Sequence, residues 1–407
     1  MTSVLPPARR TRPPNRRELI LAAATELFAA RGYEYAGMSE IAEQVAVQPS
    51  ALYRHFAGKE QLLAEILSQG AASLLAAVSA ADLAGTGGLA GTGGLAGTGG
   101  LAGLAGFVVD NRHVTALMGR EVPHLGEDAR AALRSELAQV GRLLAAKIGA
   151  RRPELREPER EFVAWSALAV LQSPSFYRTE LPRTEFCAEI ARLAGRVIAA
   201  RLPADFTGER TERGRAGLLP HSRREALLAQ AIALFAERTY AGVGIEDVAA
   251  SLGIAGPSVY NHFRSKSEIL VTALGRGSAC LSMQVADTLA TADGPEAALR
   301  ALIGAYAGFA VGHPALIDLM ISEIRSLPEG DREAALTAQR DYVAELARLL
   351  CQVDPERPAA VARVQVHAAL MMANDVARTP HLRDQAGSAQ AVASLCAQML
   401  ALGSPGT

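Results

Sequence analysis

The chain has 407 residues, 49% of them hydrophobic, and a formal net charge of −1 at pH 7. This length is typical of two or three domains, and a globally basic surface is excluded, so any basic patch must be local. No apolar segment follows the charges at the N-terminus, and no run of about 18 apolar residues is apparent. We therefore expect a cytoplasmic chain without a signal peptide or membrane span.

Four short helices are predicted at the start of the chain. Apolar residues recur at helical spacing over 16–31, a second helix covers about 38–45, a third covers 49–56, and Lys59 opens a fourth. The tight turn before the third helix predicts a helix-turn-helix motif. We place this motif at about 36–56, inside a first domain over 13–73.

The third helix has one apolar and one polar face. Leu52 and Phe56 are four residues apart and share the buried side, whereas Ser50 and Arg54 point the opposite way. A short helix with a packed back and a polar front suits insertion into the major groove of DNA. The alternative is an ordinary three-helix subdomain whose polar face is only solvated.

A helical body is predicted over 74–205, interrupted by a low-complexity segment at 83–106. The sequence LAGTGG occurs three times in a row from Leu83 to Gly100, and such glycine runs favour a loop. Residues 85–90 also match a dinucleotide-binding pattern, but no strand precedes them, so we reject that reading. A polar linker is predicted over 206–219.

The second half of the chain repeats the first. The sequence from Arg223 aligns without a gap with the sequence from Arg16, an offset of 223 − 16 = 207. A weaker similarity continues downstream at an offset of 307 − 105 = 202. A second motif is thus predicted at about 243–263 within a domain over 220–280, followed by a second body over 281–407.

These motifs resemble the tetracycline-repressor (TetR/AcrR) family of bacterial regulators. The resemblance rests on Leu27-Phe28, Ile41-Ala42 and LYRHFAGK from Leu52, and on Leu234-Phe235, Val248-Ala249 and VYNHFRSK from Val259. It implies an all-α fold of two tandem units, each a three-helix module with a helical body. It also implies that the last two helices of each body pair into a four-helix bundle.

The resemblance further implies which residues would contact DNA. Phosphate contacts would come from Tyr53, His55, Lys59, Tyr260, His262 and Lys266. Base-facing residues would be Gln48, Pro49, Ser50, Arg54, Ala255, Gly256, Pro257 and Asn261. An N-terminal arm of Arg9, Arg10, Arg12, Arg16 and Arg17 either follows the DNA or is a solvated tail.

The first copy departs from the family at its turn, where Ala46 replaces the usual glycine. If the turn requires a positive φ, alanine costs about 1 kcal/mol there.

The bodies are expected to bind a small hydrophobic or amphipathic effector, because their aromatic, methionine and histidine side chains lie in apolar surroundings. Candidate pocket residues are His113, Met118, Phe162, Trp165, Tyr177, Tyr306, Phe309, Met320, His367, Met371 and Met372. Side chains of these types are more often part of a plain hydrophobic core than ligand contacts.

No catalytic series, nucleotide loop or metal-ligand spacing is found, and the four cysteines are scattered. The sequence therefore predicts a regulator that is not an enzyme and that uses no cofactor or metal. We expect a repressor released by its effector, acting on double-stranded DNA as an intramolecular pseudo-dimer with an asymmetric operator. A further homodimer is left open. The alternative is a helical ligand-binding or scaffold protein with inactive modules.

Overall fold

The computed structural model describes residues 16–83, 100–211 and 218–403. Within these ranges the chain is helical and has no strand beyond one isolated bridge between Arg210 and Gln385. The predicted all-α class is confirmed.

The first half contains nine helices within its described residues. Its module comprises α1 (Arg16–Arg31), α2 (Met38–Gln44) and α3 (Pro49–Leu52). Its body comprises α4 (Lys59–Ala80), α5 (Leu101–Asp110), α6 (Arg112–Arg120), α7 (Glu127–Arg151), α8 (Glu157–Gln172) and α9 (Arg183–Ala199).

The second half repeats this order. Its module comprises α10 (Arg223–Arg238), α11 (Ile245–Ala250) and a 3₁₀ helix over Gly256–Asn261. Its body comprises α12 (Lys266–Thr291), α13 (Pro295–Gly312), α14 (Pro314–Ser322), α15 (Glu329–Val353), α16 (Ala359–Arg378), α17 (Pro380–Arg383) and α18 (Ser388–Met399).

Helix boundaries preserve both offsets read from the sequence. The ends of α1 and α10 differ by 238 − 31 = 207 residues. In the bodies, the ends of α7 and α15 differ by 353 − 151 = 202, and the starts of α8 and α16 by 359 − 157 = 202. Equivalent positions in the two bodies can therefore be assigned by subtraction.

The predicted loop at 83–106 is wrong at its C-terminal end. Helix α5 begins at Leu101, so residues 101–106 are helical, and Leu101 is buried together with Leu83. Two apolar residues per turn are enough to hold this Gly- and Ala-rich stretch in the core despite its low helix propensity. Residues 84–99 lie outside the described residues.

Buried side chains form three hydrophobic cores. One lies within each module and includes residues from the body beneath it, such as Leu117 in the first half and Leu319 in the second. The third core is shared by the two bodies. Because apolar burial is the main stabilising contribution, each module is anchored to its own body and the bodies are anchored to each other.

A four-helix bundle joins the halves. Helix α8 packs on α16, and α9 packs on both α16 and α18. Across this contact Gln365 Nε2 donates to Glu189 Oε1 at 2.7 Å, and Arg196 donates to the carbonyl of Met399 at 3.0 Å.

The predicted linker at 206–219 is wrong for its first residues, which are packed rather than free. The Phe206 ring is fully buried 4.9 Å from the ring of Phe162. Gly208 adopts a φ of +71° and lies against Pro158, and the amide of Thr211 donates to the carbonyl of Asp384 at 2.7 Å. Residues 206–211 therefore fasten the end of the first body to the second.

Two helices, α4 and α12, are long and apolar enough to cross a membrane by length and composition alone. A third would result if α13 and α14, which meet at a 96° bend, were counted as one span. The sequence expectation that no such stretch exists is wrong by this criterion, because the alanines between the leucines raise the mean hydropathy. In this fold, however, Leu63 and Leu270 of these two helices are fully buried in the module cores.

Candidate nucleic-acid interface

The turn between the second and third helices has the same shape in both modules. Ala46 has a φ of +52°, and Gly253 at the equivalent position has a φ of +64°. The next amide closes each turn, from Val47 to the carbonyl of Ala42 at 2.9 Å and from Ile254 to that of Ala249 at 3.1 Å. The left-handed conformation anticipated for Ala46 is confirmed.

Replacing Ala46 with glycine should stabilise the first module. Glycine adopts this φ without the Cβ clash, so we expect a gain of about 1 kcal/mol in the free energy of unfolding. Denaturant unfolding of the full chain, with hydrogen exchange to localise the change, measures this. The reverse change Gly253→Ala should cost the second module a similar amount, and a loss of stability in Ala46→Gly would contradict the reading.

The third helix is shorter than predicted. In the first module α3 ends at Leu52 rather than at residue 56, because the amides of His55 and Phe56 both bond to the Leu52 carbonyl and end the regular helical ladder. The second module replaces α3 with the 3₁₀ helix over Gly256–Asn261. In both modules the recognition segment is thus a short helix, of four or six residues, followed by a buried phenylalanine, Phe56 or Phe263.

Each recognition segment has one buried side and one exposed side, as expected. Leu52 and Val259 are fully buried in the module cores. Of the predicted base-facing residues, Pro49 and Gly256 are half-buried and the others are exposed: Gln48, Ser50, Arg54, Ala255, Pro257 and Asn261. Four of these eight residues belong to each module, and we call the surface that they form the recognition face of that module.

Tyrosine and histidine side chains flank each recognition face. Tyr53 and Tyr260 are both 56% exposed, a high value for an aromatic side chain, and His55 and His262 are half-buried. Hydroxyl and imidazole groups at the edge of a groove-binding helix can donate to phosphate oxygens. Their assignment as phosphate contacts stays a prediction.

The two lysines have a structural role that the sequence did not indicate. The Lys59 ammonium donates to the carbonyl of Tyr33 at 2.7 Å and lies 4.2 Å from the Tyr33 ring centroid. Lys266 does the same with Tyr240, at 2.8 and 4.3 Å. Each lysine thus ties the start of a long helix to the loop after the module's first helix. The Tyr–Lys pairing shared by the two copies was the signal that could have revealed this.

The ammonium groups nevertheless retain capacity for DNA. Lys266 also bonds the carbonyl of Val243 at 2.9 Å, which leaves one of its three N–H donors. Burial lowers the pKa of both Lys59 and Lys266, partly opposed by carboxylates such as Glu34 and Glu323. The remaining donor is oriented by the carbonyl bonds, as a phosphate ligand should be.

Arg16 and Arg17 do not belong to a free arm, since both lie in α1. Arg17 pairs with Glu65 and stacks 5.0 Å from the Phe56 ring centroid, so its charge is held against the module. Arg224 occupies the equivalent position over Phe263 at 4.3 Å. The other predicted arm residues lie outside the described residues: Arg9, Arg10 and Arg12.

The predicted pocket residues of the second half converge only in part. A cavity in the second body is lined by Tyr306, Met320, His367 and Met371. Phe309 and Met372 do not line it and are buried core residues.

The candidates of the first half do not form a common pocket. Phe162 is core, and His113 is exposed at the start of α6. Met118 lines a surface groove between the first module and its body. Trp165 packs on Gly141, and Tyr177 stacks on His367 of the second half with ring centroids 4.2 Å apart. Helical spacing identified apolar positions but could not identify which of them face a void.

Two helix-turn-helix modules, each joined to a helical body, define a class of DNA-binding protein. A sequence profile described as "Bacterial regulatory proteins, tetR family" matches residues 20–66 and 227–273. The chain therefore contains the DNA-binding module of the tetR family twice, over these two ranges.

Individual relatives match over the modules. The chain is 41% identical over 63 residues to the HTH-type transcriptional activator FasR of Mycolicibacterium smegmatis, covering 16% of this chain and 29% of FasR. It is 46% identical over 46 residues to the HTH-type transcriptional regulator TcmR of Streptomyces glaucescens, covering 11% and 20%. The chain thus spans less than a third of the length of these curated relatives. They are regulators, in agreement with the prediction that the chain is not an enzyme.

Among solved structures, a TetR-family transcriptional regulator from Bordetella parapertussis aligns with 46% of this chain and 97% of its own. The sequence identity is 22% and the TM-score is 0.42.

Proposed function

We propose that the chain is a sequence-specific transcriptional regulator, a cytoplasmic repressor that binds double-stranded DNA through both modules and is released by a small hydrophobic or amphipathic effector. The observation that carries this proposal is the pair of open recognition faces on matching frameworks. A face that only contacted solvent would not need the same buried back, the same left-handed turn and the same Tyr–Lys tie in both copies.

We further propose that the two halves act as an intramolecular pseudo-dimer. The last long helices of the bodies, which would pair two chains in the family, here pack against each other within one chain. Contacts outside the bundle support this arrangement, because Arg325 of the second half donates to the carbonyl of Ala29 in α1, and Arg378 donates to that of Gly119 in α6. The four-helix surface is therefore already occupied.

The number of chains on DNA tests the pseudo-dimer. Native mass spectrometry or light scattering of the complex with a minimal duplex should find one chain per duplex. Two or more chains would contradict the pseudo-dimer and would favour a homodimer of tandem chains.

DNA binding itself can be tested with the DNA upstream of the chain's own gene in a mobility-shift assay. A specific shift that competes poorly with random DNA supports the proposal. The absence of any specific shift, together with failure to enrich a sequence from a random pool, would favour a helical ligand-binding protein with inactive modules.

Removing the lysine ammonium should reduce the salt dependence of DNA binding. Each phosphate contact releases about one counterion, so Lys59→Ala or Lys266→Ala should weaken binding to every sequence and lower the log–log salt slope by about one unit. The slope is measured from dissociation constants over a range of salt concentrations.

Lys147 provides the matched control for this measurement. It is the third of the three lysines in the chain, and its ammonium also bonds two carbonyls, those of Ser79 at 2.9 Å and Ala81 at 2.7 Å, but it lies in α7 at the opposite end of α4 from Lys59. Lys147→Ala should leave the salt slope unchanged. If Lys59→Ala and Lys266→Ala behave like this control, the two lysines are structural and the phosphate assignment fails.

A further inference from the structure

The second body encloses a cavity, and only three of its lining residues have counterparts in the surface groove of the first half, namely Leu74, Thr115 and Met118. Its empty volume is about 940 Å³, a figure that includes the space open to solvent at its mouth. The walls come from α12, α13, α14, α15 and α16 together with Ile324, and Phe176 of the first half closes one side.

The lining combines an apolar wall with uncharged polar groups. Among the described residues that line the cavity there is no Asp, Glu, Lys or Arg. The Tyr306 hydroxyl donates to Asn374 Oδ1 at 2.8 Å, and burial lowers the pKa of His367 to about 4, so the imidazole is neutral at pH 7. The buried Tyr342 hydroxyl has no hydrogen-bond partner within the described chain.

The first body is filled where the second is hollow. Subtracting 202 from His367, Val343 and Tyr342 gives Trp165, Gly141 and Val140. The Trp165 indole lies directly on Gly141, at 2.6 to 2.8 Å from the place where a Cβ would be. Val140 is fully buried and brings no hydroxyl to this region. Trp165, the only tryptophan of the chain, thus fills the space that a side chain at position 141 would occupy.

Side-chain packing against these helices differs in the same sense. A Cβ built on Gly70 of α4 would lie 2.3 Å from the Val114 side chain in α6. At the equivalent Gly277 of α12 the nearest atom is the Met320 sulfur in α14, at 3.2 Å. The side chains of α6 therefore lie closer to Gly70 than those of α14 lie to Gly277.

We propose that the chain has a single ligand site, in the second body, and that it takes an uncharged, largely apolar molecule carrying a hydrogen-bond acceptor for the Tyr342 hydroxyl. The inference deepens the proposed function, since this ligand would be the effector. One bound molecule then serves two DNA-binding modules.

The chemistry of the ligand follows from the cost of burial. An ionised group placed in this cavity would find no opposite charge on its walls and would lose its hydration, which is strongly unfavourable. An acceptor such as a carbonyl, by contrast, would satisfy the Tyr342 hydroxyl, whose burial without a partner is itself unfavourable.

The proposal can be tested with two naphthalene dyes. Prodan is uncharged and carries a ketone, whereas anilinonaphthalene sulfonate is of similar size and anionic. Fluorescence titration of the full chain should give one Prodan per chain and much weaker binding of the sulfonate. Two Prodan molecules per chain, or equal binding of the sulfonate at the same site, would overturn the proposal.

Substitutions then locate the site. Tyr342→Phe should weaken Prodan binding roughly 5- to 10-fold, the effect of one hydrogen bond. The exposed Tyr35→Phe is the matched control and should have no effect. The double change Val343→Gly with His367→Trp copies the packing of the first body and should abolish binding. Prodan binding that survives Tyr342→Phe unchanged would place the dye elsewhere and reject the site.

The double variant needs its own check, since a repacked body can fail to fold. Its melting curve and its DNA mobility shift report folding independently of the dye. If it is unfolded, the Prodan stoichiometry of the unmodified chain and the Tyr342→Phe result still decide the question. Failure of the DNA shift with intact Prodan binding would reject the proposed function and leave the ligand site standing.

Discussion

Selection from a random DNA pool with the unmodified chain is expected to yield an asymmetric binding site. A homodimer presents two identical recognition helices and so selects a palindrome. Here the buried residues of the two modules agree, but the recognition faces differ. Arg54 in the first module is equivalent to Asn261 in the second, and Ser50 is equivalent to Pro257; all four residues are exposed. Arginine pairs best with guanine and asparagine with adenine. One half-site should carry a guanine where the other prefers adenine.

Arg54→Asn should then make the selected site more symmetric. A good bidentate pair discriminates by about 1–3 kcal/mol, so preference at that position should shift by roughly 5- to 150-fold. The reciprocal change Asn261→Arg should introduce guanine into the other half-site. A palindrome selected by the unmodified chain, or an unchanged site with Arg54→Asn, would show that these side chains do not read bases.

The second large effect is expected from Phe206→Ala. Phe206 follows the last helix of the first body, is 1% exposed and packs on Phe162. Removing a buried aromatic ring leaves a cavity and typically costs about 3–5 kcal/mol in the free energy of unfolding. Because the ring lies where the connection meets both bodies, denaturant unfolding should also become less cooperative between the halves.

Leu218→Ala is the matched control for the connection. Leu218 lies in the same predicted linker but is fully exposed, so its truncation should change stability by less than about 0.5 kcal/mol. Equal stability of the two variants would mean that residues 206–211 do not fasten the bodies together.

The modules could be predicted from the sequence because local signals agreed with one another. Gly37 and Gly244 occupy the N-cap positions of the second helices, and their amides donate to the carboxylates of Glu40 and Asp247 at 3.0 and 2.7 Å. The repeat supplied the second signal, since a feature present at the same offset is not an accident of composition. The positive φ of Ala46 could be predicted for the same reason, because a glycine occupies the equivalent position in the other copy.

Features that depend on contacts between distant segments were not accessible. The packed start of the linker is decided by Phe162 and Asp384, which lie 44 residues before Phe206 and 178 residues after it in the chain. The early end of α3 was not accessible either, because the apolar spacing of Leu52 and Phe56 predicts a regular helix through residue 56. Neither leaves a mark in the local periodicity.

Cavities are the features that are hardest to predict from the sequence. Tyr306 and Phe309 lie three residues apart on α13 and are similarly apolar in the sequence, yet only Tyr306 reaches the void. Whether a cavity forms beside a helix depends on the side chain that faces it. His367 of the second body and Trp165, its equivalent in the first body, show this difference. Only a comparison of the two bodies in three dimensions makes that difference visible.

The hydrogen bond between Gln365 and Glu189 in the bundle has no mirror image. Subtracting and adding 202 gives Val163 and Ala391, two buried apolar residues. In a symmetric homodimer every interface substitution occurs twice, whereas here it occurs once, so each side of the bundle is free to change separately. If the chain acts as the proposed pseudo-dimer, its two halves need no bimolecular assembly step. At low copy number, occupancy of the operator would then rise in proportion to the number of chains in the cell. For a dimer assembled from two separate chains it would rise with the square of that number.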